Sequence, residues 1–403
     1  MKYEAFSRRQ LVAMTWWNRP QLRELDGILC DGAVRAGKTV CLTDGFFLWS
    51  MASFHNQVFG LCGKTIASLR RNITDHLPDW LGGLYTIRDS RSQNKLTVSD
   101  RQGHVNTYYL FGGQDESSAH LIQGITLAGV LLDEAALMPR SFVEQAVARC
   151  SVPGAKLWFS CNPEGPEHWF YKQWVCKAAE KRLLRLSMTM EDNPGLTEAV
   201  KERYRRLYTG IFYERYILGR WVAAQGLVYD FGPEHVAKEL PQAGRYYISV
   251  DYGTMNPFSA GLWCVAGGVA YRVREFYYNG RQAGNMMTDE EYHEALVALA
   301  GGAPVEKVIV DPSASSLIAT IRHHGVFSVR RARNAVLPGI RLVARLLKEG
   351  RLKIGEGCKD TIREFGLYRW EEGVDAPVKE FDHAMDEVRY FCATVMHRPG
   401  AES

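Results

Sequence analysis

A glycine-rich stretch near the start constrains the fold of this chain more than any other feature. The apolar residues 28–30 lead into a segment that matches Gly-x-x-x-x-Gly-Lys-Thr from Gly32 to Thr39. A largely apolar, helix-compatible run follows over residues 40–49. Strand, glycine loop and helix in this order form a phosphate-binding loop, because loop N–H groups and the helix N-terminus both attract phosphate oxygens. The sequence therefore predicts an α/β domain built around such a loop.

Each residue of this motif has a predicted role. Gly32 and Gly37 let the backbone curl around the β-phosphate, Lys38 reaches the β- and γ-phosphates, and the Thr39 hydroxyl holds Mg²⁺. Upstream of the loop, Gln10 has two interpretations. It reads an adenine edge, since its amide both donates and accepts, or it is an exposed polar residue.

Two further apolar runs end in polar residues. Residues 129–132 precede Asp133 and Glu134, and residues 156–159 precede a segment that contains Asn162. The carboxyl ends of buried parallel strands open on the ligand crevice. We therefore expect Asp133 to hold Mg²⁺ through its water shell and Glu134 to deprotonate the attacking water. Asn162 either senses the γ-phosphate or forms a turn.

Glycines and prolines break the pattern in the middle of the chain, between residues 225 and 244. A prior of ~150 residues per domain suggests two or three domains for 403 residues. We predict a P-loop domain over 1–225, a linker over 226–244 and a second domain over 245–403.

Three acids stand out in the second half. Strand-like residues 246–250 lead to Asp251, and two hairpin-linked strand candidates follow, an opening consistent with an RNase H-like fold. Another buried strand ends in Asp311, and Asp386 follows Asp382 near the C-terminal end. Carboxylates from two strand ends and a helix can hold one or two Mg²⁺ or Mn²⁺ ions. The alternative is that they are separate surface acids.

A basic region lies between these acids, although the net charge of the whole chain is only +4. Arg341, Arg345 and Lys348 recur on one face of a predicted helix, with apolar residues elsewhere. A basic stripe of this kind suits a phosphodiester backbone and gives little sequence preference. The alternative is a solvated amphipathic helix.

Composition excludes two other classes of protein. The nine cysteines form no Cys-x-x-Cys pair, which indicates reduced thiols in a cytosolic protein and no zinc site. No apolar stretch approaches the ~20 residues needed to span a bilayer, so no membrane association is expected.

Together these motifs resemble the large subunit of the terminase of tailed phages or prophages. The resemblance rests on the glycine loop, on Leu-Leu-Asp-Glu, on Ser-Cys-Asn-Pro-Glu-Gly-Pro and on Asp-His-x-x-Asp-x-x-Arg-Tyr at 382–390. It implies a RecA/ASCE-like P-loop ATPase domain followed by an RNase H-like nuclease domain. It also implies that Asn162 couples hydrolysis to DNA movement and that Arg35 stabilises the transition state, unless a neighbouring subunit supplies that arginine. In the family, the nuclease metal ligands correspond to Asp251, Asp311 and Asp386, with Asp382 a weaker candidate.

The resemblance implies a function and a set of partners. The chain would use ATP and Mg²⁺ to drive double-stranded DNA into a procapsid and would cut concatemeric DNA with Mg²⁺ or Mn²⁺. Its partners would be the small terminase subunit, the portal protein and further copies in a pentameric ring, in the host cytoplasm and transiently on the procapsid. Two alternatives remain. One is a helicase-like DNA translocase without nuclease activity, and the other is a phage structural or DNA-binding protein with vestigial acids.

Overall fold

A computed structural model of the chain describes residues 6–253 and 256–397. The chain divides into two units, Met1–Ala223 and Ala224–Ser403. All nine cysteines are free thiols. Within the described ranges, no helix combines the length and the apolar character that a bilayer-spanning segment requires.

The first unit is built on one eight-stranded sheet. Its strands are β1 (Gly27–Gly32), β2 (Val58–Gly63), β3 (Thr86–Ser90), β4 (Lys95–Ser99), β5 (Val105–Gly112), β6 (Gly129–Leu132), β7 (Lys156–Ser160) and β8 (Leu183–Met188). They lie in the order β3-β4-β5-β2-β6-β7-β1-β8. The six strands from β5 to β8 in this order are parallel, so their carboxyl ends share one edge of the sheet.

Helices cover both faces of this sheet. They are α1 (Arg8–Thr15), α2 (Lys38–Ser53), α3 (Ile66–Leu69), α4 (Leu77–Leu81), α5 (Arg140–Ala148), α6 (Glu198–Leu207) and α7 (Gly210–Tyr216). The helix α2 is buried nearly all round, and its Phe46 and Trp49 pack against Trp158 of β7. A second apolar cluster, with Phe142 and Phe159 at its centre, packs the other side. Both clusters include residues of β6 and β7, so burial of these side chains fixes the two strands that lead to Asp133 and Asn162.

The second unit has a seven-stranded mixed sheet. Its strands are β9 (Val236–Ala237), β10 (Arg245–Asp251), β11 (Phe258–Ala266), β12 (Val269–Tyr278), β13 (Val305–Val310), β14 (Val329–Arg331) and β15 (Leu352–Gly355). Their order is β14-β13-β10-β11-β12-β15-β9. The strands β10, β11 and β12 are antiparallel neighbours, as the three hairpin-linked strand candidates predict. The strand β13 runs parallel to β10, which brings the ends of these two strands together.

The helices of the second unit complete its core. They are α8 (Gly280–Ala283), α9 (Asp289–Ala300), α10 (Ser315–His324), α11 (Val336–Lys348), α12 (Lys359–Phe365) and α13 (His383–Phe391). The stretch 226–244, which the sequence predicts as a linker, lies in this unit and carries β9. A two-residue strand has no alternation of apolar and polar positions, so the sequence pattern does not reveal it.

Candidate functional site: a phosphate loop and a carboxylate cluster

The loop from Gly32 to Gly37 joins β1 to α2, as predicted. A Cβ atom at Gly32 would stand 2.0 Å from the carbonyl oxygen of Met188, so only glycine allows β8 to approach this closely. Gly37 has a φ of 83° and immediately precedes the first residue of α2. The left-handed conformation is one that glycine adopts freely, and it directs the loop into the helix N-terminus.

Lys38 is the centre of a buried polar group. Its Nζ donates to the carbonyl oxygens of Gly32 and Ala33, at 3.0 and 2.6 Å, and to Asn162 Oδ1 at 2.9 Å. Burial lowers the pKa of the ammonium below its ordinary value. Asn162 follows β7, which is the neighbour of β1 in the sheet. The structure therefore brings the lysine predicted to bind phosphate and the predicted coupling residue into direct contact.

The Thr39 hydroxyl and Asp133, which the sequence predicts as magnesium ligands, are in direct contact. Thr39 Oγ1 donates to Asp133 Oδ1 at 2.9 Å, and Ser160 Oγ donates to the same oxygen at 2.6 Å. These oxygen donors suit Mg²⁺, which prefers carboxylate and hydroxyl ligands together with water. Ser160 Oγ also accepts from the Glu134 N–H at 3.0 Å, so one hydroxyl contacts both acidic residues and fixes their relative position. Its position at the end of β7 was the only sequence signal for this role.

Glu134 sits in a conformation that few glutamates adopt. Its φ is 58°, in the left-handed region, directly after the buried Asp133. Burial, followed by repulsion from Asp133, raises the pKa of the Glu134 carboxyl. A carboxylate with a raised pKa is a better proton acceptor, which suits a general base.

Gln10 is buried, which overturns its interpretation as an exposed polar residue: only 3% of its surface is exposed. Its Nε2 donates to the Ala36 carbonyl at 3.3 Å, and its Oε1 accepts from the Ser7 N–H at 2.9 Å. A Cβ atom at Gly37 would lie 2.5 Å from the Gln10 amide nitrogen. Gln10 thus packs against the phosphate loop itself, and its role towards adenine stays a prediction.

Arg35 points its guanidinium towards α6. Its Nε donates to the Tyr204 hydroxyl at 2.7 Å, and its carbonyl accepts from Asn193 Nδ2 at 2.7 Å. Like Glu134, Arg35 has a positive φ, of 60°. The side chain is exposed and on the loop, and its role in the transition state stays a prediction.

The end of the first unit is bonded to β1, the strand that leads into the phosphate loop. The sequence did not indicate these contacts. Asp31 is fully buried and accepts from Arg185 Nη2 and from Trp221 Nε1, both at 2.8 Å. Arg215 donates to the Val222 carbonyl at 3.0 and 2.7 Å. The last residues of the unit are therefore tied to the strand that enters the phosphate loop.

The second candidate site lies in the other unit, where Asp251 ends β10 and Asp311 follows β13. His383 Nδ1 lies 3.0 Å from Asp251 Oδ2, and the Tyr390 hydroxyl donates to Asp311 Oδ2 at 2.8 Å. Burial raises the pKa of Asp251 to about 7, repulsion from Asp386 and Asp311 contributes in the same direction, and His383 opposes it. The three predicted acids therefore lie close enough to influence one another. Together with Asp382 and His383 they are called the carboxylate cluster below.

The remaining acids of this cluster lie on or beside α13. Asp386 is paired with Arg389 at 2.8 Å, and the Asp386 N–H donates to the Asp382 carbonyl at 2.7 Å. Asp382 is largely buried, and its Oδ1 lies 3.7 Å from His383 Nε2. Within the described residues, no three acids, histidines or cysteines stand at metal-ligand spacing. The carboxylates nevertheless fit Mg²⁺ or Mn²⁺ by their chemistry, since hard cations prefer oxygen ligands. The metal assignment stays a prediction.

A buried ionic network holds α13 against the sheet, and the sequence did not indicate it. Arg272 and Glu387 are both 0% exposed, and Arg272 Nη2 lies 2.9 Å from Glu387 Oε2. Trp263 Nε1 donates to Glu387 at 2.8 Å, and Ser249 Oγ also donates to it. Since Ser249 is two residues before Asp251 and Glu387 directly follows Asp386, this network fixes two of the predicted acids relative to each other.

A second buried carboxylate holds the start of α13. Glu364 accepts from the Ala384 N–H at 2.7 Å and from the Tyr277 hydroxyl at 2.6 Å. A carboxylate at this position satisfies a free N–H group and complements the helix dipole. Glu364 therefore holds the first turn of α13, which begins at His383.

The predicted basic helix forms as α11. Its apolar residues Leu342, Val343 and Leu346 are buried, while Arg341 and Arg345 are half-buried and Lys348 is exposed. The amphipathic pattern is therefore confirmed, and a contact between this stripe and DNA stays a prediction.

Known proteins place the chain in a family. The family model "Terminase large subunit, T4likevirus-type, N-terminal" matches residues 29–232. A solved large terminase from a thermophilic bacteriophage is 48% identical, with a TM-score of 0.91, over 98% of this chain and 100% of that chain. Two further structures of that phage's large terminase, in complex with ADP and with ATP-γ-S, are each 47% identical over 98% of this chain and 100% of theirs, with TM-scores of 0.87 and 0.86.

A comparison with curated proteins gave no match. The similarity to the thermophilic phage structures extends through both units and confirms the predicted α/β fold class, a P-loop domain followed by an RNase H-like domain. The chain belongs to the terminase large subunit family.

Proposed function

We propose that this chain is the ATP-driven motor that moves double-stranded DNA into a phage procapsid. The bond between Lys38 Nζ and Asn162 Oδ1, at 2.9 Å, carries the proposal. It joins Lys38, which would bind the γ-phosphate, to Asn162, which follows β7. Complexes of the thermophilic phage relative with ADP and ATP-γ-S support nucleotide binding at this loop.

The hydrolytic step follows from the positions of the side chains. Lys38 would hold the β- and γ-phosphates, and Glu134 would take a proton from a water molecule as its oxygen bonds to the γ-phosphorus. The bond between that phosphorus and the bridging oxygen breaks, and ADP leaves with the electron pair. Thr39 and Asp133 would hold Mg²⁺, which neutralises phosphate charge, and Arg35 would add positive charge at the transition state.

The same geometry offers a route from hydrolysis to movement. Asn162 is two residues before Glu164, which lies 3.7 Å from the buried guanidinium of Arg215. Arg215 in turn holds the Val222 carbonyl, immediately before the chain enters the second unit. If Asn162 changes its hydrogen-bond partner, the nearby Glu164 and its contact with Arg215 would be disturbed. Arg215 would pass this change to Val222, at the end of the first unit.

Replacing Asn162 with alanine tests this coupling. We expect ATP hydrolysis to persist while the fraction of hydrolysis events that move DNA falls roughly tenfold, because a hydrogen bond to a charged group is worth about 1.5–3 kcal/mol and its loss shifts the coupled state by at least that factor. DNA-stimulated phosphate release and DNA translocation into procapsids would be measured together. Asn18→Ala, at an exposed position of the same unit, is the control. Native coupling in the Asn162 variant would contradict the proposal.

We further propose that the second unit cuts the concatemer by metal-dependent hydrolysis of the phosphodiester. Asp251, Asp311 and Asp386 would hold Mg²⁺ or Mn²⁺, which activates water and stabilises the leaving 3′ oxygen. The support is their placement: Asp251 ends β10, Asp311 follows the parallel neighbour β13, and Asp386 lies on α13, which Glu387 fastens to the sheet. Mutual repulsion contributes to the raised pKa of Asp251 after burial. This unit has antiparallel strands at the centre of its sheet, so its architecture does not favour the second ATPase domain that a helicase requires.

Plasmid cleavage tests the nuclease proposal. We expect Asp311→Ala to lower the cleavage rate with Mn²⁺ by about 100-fold or more, since even outer-shell partners of a metal are worth about 10–100-fold. Asp230→Ala, an exposed acid of the same unit, is the matched control. If the native chain hydrolyses ATP but does not cut, or if Asp311→Ala cuts normally, then the acids are structural.

The assembly is proposed on family membership. We propose that the chain acts with a small terminase subunit and with the portal protein, as a homo-oligomer for which a pentameric ring is the expected form. It would work in the host cytoplasm and dock transiently on the procapsid. Co-sedimentation with procapsids that hold or lack the portal protein distinguishes this arrangement from a free enzyme.

A further inference from the structure

Phe381 has a backbone conformation that a bulky residue rarely adopts. Its φ is 53°, in the left-handed region where the side chain crowds the backbone. The non-glycine residues with positive φ in the described ranges are Arg35, Asn56, Asn94, Glu134, Arg182 and Phe381. Glycine would relieve the strain at Phe381, so the phenyl side chain is held there at the expense of stability.

The other strained positions show where such strain occurs in this chain. Asparagine tolerates the left-handed region, which accounts for Asn56 and Asn94. Arg35 and Glu134 lie in the phosphate site, where strained backbone is common because function fixes the geometry. Arg182 belongs to neither group, and Phe381 resembles the second one, since it directly precedes Asp382 and His383 in the carboxylate cluster.

The side chain of Phe381 is also open to solvent. It is 47% exposed, and among the ring–ring contacts of the described residues none involves it. Lys379, two residues earlier, has a side chain that is 80% exposed. Its ammonium lies 4.0 Å from Asp382 Oδ2, so an exposed ring and an ammonium stand two residues apart in the sequence, next to the acids of this unit.

We propose that Phe381 contacts a base of duplex DNA next to the phosphate at the carboxylate cluster, by inserting its ring at a base step. Exposed phenyl rings insert between base steps and partly unstack them, and this contact tolerates any sequence. Lys379 would hold the adjacent backbone phosphate. The proposal rests on the proposed nuclease function and names a DNA-contacting residue for it.

The test uses the full chain in EDTA with a duplex that contains several 2-aminopurine·thymine pairs. 2-Aminopurine brightens when it unstacks, so the native chain should raise its fluorescence on binding. Phe381→Ala should abolish the rise and weaken binding about tenfold, whereas Phe381→Trp should retain both. Leu367→Ala, at another exposed apolar position of the same unit, should behave as native.

Phe381→Gly separates stacking from folding. It should raise the thermal stability of the chain by relieving the strained backbone and should still lose the fluorescence rise. Native binding and fluorescence in Phe381→Ala would overturn the inference, even if Asp311→Ala shows that the chain is a nuclease. A rise that depends on Phe381 in a chain that does not cut DNA would uphold the contact and overturn the nuclease proposal alone.

Discussion

Replacing Glu134 with glutamine is expected to lower the rate of ATP hydrolysis about 10³-fold, within the 10²–10⁴-fold range of general base catalysis. Glutamine keeps the size and the hydrogen-bonding capacity of the side chain but cannot take a proton from water. Glutamine and glutamate have the same backbone preferences at a φ of 58°, so the fold should not change. Nucleotide affinity should stay nearly native, because Lys38, Thr39 and Asp133 are untouched.

Steady-state phosphate release with DNA measures the rate, and a fluorescent ATP analogue measures the affinity. Glu180→Gln, at an exposed site of the same unit, is the control and should hydrolyse ATP normally. If Glu134→Gln hydrolyses ATP at the native rate, another group accepts the proton. If it loses nucleotide affinity as well, the residue acts in binding and the assignment of a base is wrong.

Replacing Arg272 with methionine is expected to destabilise the second unit by about 3–5 kcal/mol. The change leaves the carboxylate of Glu387 buried with no cation, although Trp263 and Ser249 still donate to it. The double variant Arg272→Met, Glu387→Leu should recover much of this loss, because an apolar pair needs no compensation for buried charge. Hydrogen exchange of peptides from α13 and β12 measures the free energy of opening in this unit alone.

The control for this prediction is Arg363→Met. The Arg363 side chain is 48% exposed and pairs with Asp360, and an exposed pair is worth about 0–1 kcal/mol. A loss of stability in Arg272→Met no larger than in this control would show that Glu387 is neutralised without Arg272. A double variant that is less stable than Arg272→Met would show that the hydrogen bonds of Glu387 to Ser249 and Trp263 stabilise the fold as much as its pair with Arg272.

Much of the phosphate site could be predicted from the sequence because its parts are local. The loop from Gly32 to Thr39 is contiguous, and each apolar strand is followed directly by its polar residue. The rule that parallel strands end at one edge then places Asp133 beside Thr39 and Asn162 beside Lys38, where the structure has them. Regular strands and an amphipathic helix such as α11 give equally clear periodic signals.

The contacts that were missed are long-range pairs without a local pattern. Arg272 and Glu387 are 115 positions apart, and Trp221 and Asp31 are 190 positions apart. A buried charge in a sequence looks like a surface charge until its partner is known, and only the fold brings the two together. The same reason explains Gln10, whose polarity indicated exposure although Ala36 and Ser7 satisfy its amide inside the protein.

The three hydrogen bonds of Lys38 have a consequence for the working cycle. An ammonium has three hydrogens, and here Gly32, Ala33 and Asn162 use all of them. A phosphate oxygen can bond to Lys38 only by displacing one of these partners, so the lysine contributes an exchange and not an additional bond. If the displaced partner is Asn162, its Oδ1 needs a new donor, and each turnover would break and re-form this hydrogen bond once.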